Sequence, residues 1–197
     1  MTKTKQNPIN RCSWCEGDEL YERYHDEEWG VPLFDDQKLF EFLILEGAQA
    51  GLSWITVLKK RENYREAFDD FDPIRISKYQ KSDINRLMNN EGIIRNQLKI
   101  KSAINNAQRY LEITSSGSTF SDYLWQFVEG KPIQNHFELR SDVPVTTSRS
   151  DLMSRTLKAA GFNFIGSTIC YAFMQATGIV NDHLVACSRH SECAKFG

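Results

Sequence analysis

The sequence predicts an all-α protein. Apolar residues recur at spacings of three and four through most of the chain, and helix-starting residues stand ahead of those runs. No alternating apolar run is long enough to build a sheet. The composition, 41% hydrophobic and 25% charged, is that of an ordinary globular domain. At 197 residues the chain can bury one sizeable core.

The elements follow in order. Residues 1–10, MTKTKQNPIN, are polar and are expected to form a disordered extension. Asp35 or Asp36 can cap a helix carrying Leu39, Phe40, Leu43 and Ile44. Ser53 can cap a second, with Trp54, Val57 and Leu58. Asp72-Pro73 reads as an N-cap followed by proline at the first helical position. Ser82 or Asp83 opens a short helix that ends near Asn89-Asn90. A longer helix runs from about Asn96 to Thr114, with Ile100, Ala103, Ile104, Ala107, Tyr110 and Leu111 on its buried side. Phe120 to Val128 is helical. Gly130 to Thr147 is the least regular segment and reads as a surface connection. Ser148 or Ser150 starts a helix that stops at Gly161. Thr168 to Ala176 is strongly apolar and stops at Gly178. Asn181 or Asp182 is expected to open a last short helix.

Net charge is −2, so any nucleic-acid surface must be a local patch. No N-terminal apolar segment and no run of membrane-spanning length is evident, which predicts a cytoplasmic protein. Five cysteines, an odd number, point to thiols or metal ligands rather than a disulfide framework.

The chain is organised around residues 42–58, FLILEGAQAGLSWITVL, whose one ionisable side chain is Glu46. A lone carboxylate in an apolar segment is costly to bury without a donor. Trp54 follows as a flat stacking surface, and Gly47, Ala48, Ala50 and Gly51 between them are too small to fill a pocket. One acceptor and one plate suit a small planar ligand rich in N–H groups, such as a nucleobase. The competing reading makes Glu46 a cap for a neighbouring helix and Trp54 part of the core.

Residues 87–100, LMNNEGIIRNQLKI, resemble a helix-hairpin-helix, a clamp for the DNA backbone. Gly92 would supply a turn conformation that a side chain opposes, and Ile93 would plug the turn. Free N–H groups at the second helix start could then hold a phosphate, with Arg95, Lys99 and Lys101 adding charge. An ordinary turn between helices is the alternative.

Cys12, His25, His183 and Cys187 can make a complete tetrahedral zinc shell. His183 and Cys187 would share one face of the expected last helix. A complete shell has no open position, so such a metal is structural. Cys15, His190 and Cys193 are rival ligands, and Cys170 reads as core.

Together these stretches resemble the DNA-3-methyladenine glycosylase I family of helix-hairpin-helix glycosylases. The resemblance is carried by RCSWCEGDELYERYHDEEWGVP (11–32), LEGAQAGLSWITVLKKRENYREAFDDFDP (45–73), EGIIRNQLKI (91–100) and GFNFIGSTICYAFMQATGIVNDHLVAC (161–187). It implies a single glycosylase domain over 11–188, with the hairpin around 82–110. A zinc lobe would form from 11–32 and 165–188, and a tail from 189–197. It implies removal of 3-methyladenine from double-stranded alkylated DNA by base flipping and hydrolysis, leaving an abasic site, by a monomer. By position, the zinc ligands are Cys12, His25, His183 and Cys187. Glu46 is the catalytic carboxylate, and Trp14, Tyr21, Tyr24 and Trp54 bind the base. Gln49, Gly51 and Leu52 press into the gap left in the duplex, and Gly92, Ile93, Arg95 and Lys99 contact the backbone. Neither the resemblance nor the pocket text offers a lysine nucleophile, so the expected enzyme does not cut the strand. A noncatalytic, zinc-stabilised hairpin module is the alternative.

Overall fold

The computed structural model describes residues 10–196, so most of the expected disordered extension, 1–9, lies outside the described residues. The helices are α1 (Glu19–Glu27), α2 (Asp36–Gln49), α3 (Trp54–Leu58), α4 (Arg61–Ala67), α5 (Pro73–Ile76), α6 (Lys81–Met88), α7 (Gln97–Thr114), α8 (Phe120–Trp125), α9 (Ser148–Ala159), α10 (Ser167–Ala176) and α11 (Ser188–Cys193). Two two-residue strands, β1 (Ile133–Gln134) and β2 (Val180–Asn181), pair in parallel. No described helix is long and apolar enough to cross a membrane.

Helix α2 is the axis of the core. Its residues from Leu39 through Ala48 are all buried, and α3, α7, α8 and α10 pack around it. Asp35 caps it by accepting from the Lys38 N–H at 2.9 Å. Asp36 accepts from the N–H groups of Phe120 and Ser121 at 2.9 and 2.8 Å, which fixes the start of α8 against the start of α2. Asp72, Asn96 and Thr119 cap α5, α7 and α8 with their side chains.

The segment Trp29-Gly30-Val31-Pro32 is seamed to the end of α10. The N–H groups of Gly30 and Leu33 donate to the carbonyls of Gln175 and Thr177, each at 3.0 Å. Gly178, at φ +67°, lies so close that a Cβ would fall 2.3 Å from the Pro32 nitrogen.

One expectation about the C-terminal end needs correction. Asn181 belongs to β2, and residues 182–187 are not helical; the last helix begins at Ser188. Backbone pairing with the 133–137 segment takes the place of helical hydrogen bonds there. Most of α11 falls in the expected tail, 189–197, and buries His190 and Cys193.

Candidate functional site: an aromatic cavity beside a Cys/His cluster

A cavity of about 370 Å³ opens between α2, α10 and the N-terminal segment, lined by Trp14, Tyr21, Tyr24, Glu46, Gln49 and Trp54, among others. The side chains expected to meet a base are thus brought together by elements far apart in sequence. Trp14 comes from a 3₁₀ turn (Ser13–Cys15), Tyr21 and Tyr24 from α1, Glu46 from α2 and Trp54 from α3. Trp14 meets Tyr21 edge-on at 4.8 Å between centroids and Trp29 at 5.0 Å, while Tyr24 lies 5.5 Å from Trp54.

Helix α2 buries two carboxylates, and they are treated differently. Glu41 accepts from the Arg65 guanidinium at 3.0 and 2.7 Å. Glu46, 2% exposed, leaves Oε2 with no hydrogen-bond partner, and the Trp54 indole N–H is likewise unpartnered. Burial raises the Glu46 carboxyl to about 8, so in the free protein it is mostly neutral at pH 7. Unpartnered buried polar atoms facing a cavity are what a polar ligand satisfies. Glu46 therefore caps no neighbouring helix. Gly47 and Ala48 do not line this cavity; Gly47 instead lets α2 approach Phe164, where a Cβ would sit 3.4 Å from the Phe164 side chain.

Cys12, His25, His183 and Cys187 are all buried, and their ligand atoms lie within 4.8 Å of one another. His183 Nδ1 is 3.2 Å from His25 Nε2, and Cys187 Sγ is 3.6 and 3.5 Å from those two nitrogens. Zinc bonds of about 2.0 Å to nitrogen and about 2.3 Å to sulfur give tetrahedral N···N and N···S edges of about 3.3 and about 3.5 Å, so the donor set fits such an ion. The outer ring nitrogens are held as well. His25 Nδ1 lies 2.8 Å from Asp26 Oδ1, and His183 Nε2 lies 2.9 Å from the Trp29 carbonyl oxygen, which turns the inner nitrogens toward the cluster. His183 and Cys187 converge from a loop, not from one helix face. The rivals are engaged elsewhere: Cys15 donates to the Cys12 carbonyl at 3.1 Å, and His190 Nε2 lies 2.8 Å from the Asn135 carbonyl oxygen. Cys193 and Cys170 are buried outside the cluster.

The 88–97 turn departs from expectation. Gly92 does not adopt positive φ; it is glycine because a Cβ would meet Asn63 and Asn90 at 3.0 Å. Its N–H is taken by Asn90 Oδ1 at 2.8 Å, and those of Leu98 and Lys99 by Asn96 Oδ1 at 3.0 and 3.1 Å. Few turn donors therefore remain for an outside anion. Ile93 is buried as a plug, and Arg95 is exposed, 3.6 Å from Glu91. Lys99 is no free cation: its ammonium donates to the carbonyls of Ala48 and Ala50 at 2.7 and 2.8 Å. It thereby fixes the Gln49–Leu52 turn, where Gly51 has φ +81° and Leu52 is 43% exposed.

Sequence reasoning missed two cavity walls. Thr168, Tyr171, Ala172 and Gln175 line one, at the three- and four-residue spacing of a single α10 face, a signal legible in the chain. Beside them Asp182 accepts from Tyr171, Gln175 and Asn135 at 2.6, 2.9 and 2.6 Å. The other wall, Arg140 and Val143–Val145, comes from the segment read as a mere surface connection.

The mostly helical scaffold thus encloses an aromatic, acid-bearing cavity of the size of a small planar ligand. Residues 14–190 match the methyladenine glycosylase family. The chain is 52% identical over 179 residues to the DNA-3-methyladenine glycosylase 1 of Escherichia coli K12, covering 91% of this chain and 96% of that protein. It superposes on a crystal structure of 3-methyladenine DNA glycosylase I with a TM-score of 0.89 at 52% identity, covering 90% of this chain and 98% of that one. The Staphylococcus aureus 3-methyladenine DNA glycosylase I, solved for its recognition of 3-methyladenine, aligns at TM-score 0.88 and 39% identity, over 92% and 97% of the two chains. The chain is a member of the methyladenine glycosylase family.

Proposed function

We propose that this protein is a DNA-3-methyladenine glycosylase of base-excision repair, which hydrolyses the N-glycosidic bond of 3-methyladenine in alkylated DNA. The observation that carries the reading is the pair of buried, unpartnered polar atoms, Glu46 Oε2 and Trp54 Nε1, beside a cavity with aromatic walls. A noncatalytic DNA-binding module has no use for an unsatisfied acid in a closed aromatic cage.

A base stacked in a duplex is out of reach, so the nucleotide is extruded, with Gln49, Gly51 and Leu52 entering the gap it leaves. The 3-methyladenine nucleotide carries a positive charge that adenine lacks. Indole and phenol faces of Trp14, Tyr21, Tyr24 and Trp54 attract that cation more than a neutral ring. Glu46 gives it a counter-charge: a bound cation draws the carboxyl towards its ionised form, and the base in turn is held by the acid. Normal adenine would have to share the cage with a neutral carboxyl, gaining no ion pair.

Cleavage breaks the bond between C1′ and the base nitrogen, and the electron pair leaves with the base, which becomes neutral. Water oxygen then bonds to C1′ and its proton passes to solvent water. The neutral product no longer pairs with Glu46 charge and can depart. Among the described residues no lysine lines the cavity, so the reaction is read as one without a Schiff base that leaves the strand uncut. Asp182, held by three donors, is placed to orient polar groups in the same cavity.

The Cys12, His25, His183 and Cys187 cluster holds one structural zinc, which joins the N-terminal segment carrying Trp14 to the stretch carrying Asp182. The protein acts on duplex DNA as a cytoplasmic monomer, with one glycosylase domain over residues 11–188. Its helix-hairpin-helix element lies around residues 82–110 and presents Arg95 to the backbone. The test is chromatography of bases released from methylated DNA by the purified protein. Release of 3-methyladenine with intact strands supports the proposal; no release overturns it.

A further inference from the structure

Arg140 stands at the cavity and plays no part in the reaction described above. It sits in a 3₁₀ turn, Arg140–Asp142, and is exposed. Its position is set by backbone pairing. Ile133 and Asn135 donate to the carbonyls of Ile179 and Asn181 at 3.0 and 3.2 Å, and Val185 donates to Phe137 at 2.9 Å. This stitches the segment to the stretch that carries Asp182 and His183. Asp142, two residues on, makes no ion pair with the guanidinium: it accepts from the Leu139 N–H at 3.0 Å and from the Ser141 hydroxyl at 3.4 Å.

A cation at the mouth of a cavity that receives a cationic base works against the attraction of Glu46 and Asp182 inside it, an electrostatic conflict. Left alone it would oppose entry of the positively charged ring and favour neutral adenine. The conflict is removed if an anion arrives together with the base. An extruded nucleotide brings one, because its flanking phosphates stay outside when the base is inside. A guanidinium matches the forked oxygens of a phosphodiester. Leu139 and Val145, close by in the same segment, are 62% and 69% exposed, and such apolar surface suits the carbons of deoxyribose.

We propose that Arg140 binds a phosphate adjacent to the extruded nucleotide and so holds the damaged strand at the cavity mouth, a second backbone contact independent of the α6–α7 hairpin. The inference rests on the glycosylase reading and adds to it a contact by which the enzyme would favour a base in DNA over the same base free in solution.

The experiment compares wild type with Arg140→Ala, Arg140→Lys and Arg140→Glu, all at an exposed position. Three quantities are read: affinity for a duplex with a stable abasic-site analogue across a salt series, affinity for free 3-methyladenine, and single-turnover release of 3-methyladenine from methylated duplex. Arg140→Ala is expected to weaken duplex binding roughly tenfold, as loss of a charged hydrogen bond does. It should also lower the salt slope by about 0.9, the value for one phosphate contact. Arg140→Lys should keep the slope and recover part of the affinity, and Arg140→Glu should lose more than Ala. Free-base affinity should stay within twofold throughout. An unchanged salt slope in Arg140→Ala overturns the phosphate contact, and an equal loss for duplex and free base places Arg140 in the base cage instead. Wild type that releases no 3-methyladenine would overturn the glycosylase reading itself, whereas active wild type with indifferent Arg140 variants overturns this inference alone.

Discussion

Lys99 and Ala50 stand 49 positions apart, and the ammonium of one donates to the carbonyl of the other at 2.8 Å. The same ammonium reaches Ala48 at 2.7 Å, so a lysine at the start of α7 closes the C-terminal end of α2. Those carbonyls immediately precede the Gly51-Leu52 tip. Lys99→Met should therefore destabilise the protein by about 1–2 kcal/mol and loosen the tip. Because the charge is already engaged, the salt dependence of DNA binding should change by well under one contact. Denaturant unfolding and a salt titration check the two statements together; a full one-contact loss would return Lys99 to the DNA surface.

Glu46→Gln removes the counter-charge but keeps the shape of the cage. Single-turnover excision of 3-methyladenine should fall by about 10–100-fold, with duplex binding near wild type.

The same variant carries a stability signature with a definite sign. The Glu46 carboxyl is raised to about 8 by burial, above its ordinary value, so the native state holds this proton more tightly than the unfolded chain. Its stabilising contribution is full below the ordinary carboxyl range and is lost as pH rises to about 8. Gln cannot ionise, so Glu46→Gln should gain stability over wild type progressively across that window, reaching roughly 2–4 kcal/mol at its upper end. Melting curves from acid to mild alkali measure this, and parallel curves for the two proteins would contradict a buried, unpaired acid.

Cys187→Ala takes one donor from the Cys/His cluster. Purified wild type should contain one zinc per chain and the variant little. Its melting temperature should drop by about 8 °C or more, the scale expected for about 3–4 kcal/mol in a chain of this size. Metal analysis and calorimetry decide it; zinc-free wild type that melts like the variant would refute the site.

Gly178→Ala tests the seam between α10 and the Trp29–Pro32 segment. A Cβ there would lie 2.3 Å from the Pro32 nitrogen, and the backbone has φ +67°. The change should cost more than about 2 kcal/mol, through both strain and overlap. Circular dichroism melts would show it.

Much of this was readable before any coordinates. Helix boundaries followed from Asp35, Asp72 and Asn96, because a short polar side chain ahead of an apolar run satisfies the first free N–H groups wherever it occurs. Glu46 stood out because an acid in an apolar helix needs a reason. The His183–Cys187 stretch was misread as helical, since nothing local reveals that its backbone pairs with residues 133–137.

Local chemistry, then, marked the helices, Glu46 and Trp54 by residue type and spacing, while Trp14, Tyr21, Tyr24 and the choice of Cys12, His25, His183 and Cys187 over their rivals were implied by the family resemblance. Which donors are already occupied is a different matter. Lys99 is consumed by carbonyls 49 and 51 positions away, and Arg140 is delivered to the cavity by the pairing of β1 with β2, far from it in sequence. Such partnerships depend on long-range packing, which fixes separations in space that spacing along the chain does not encode.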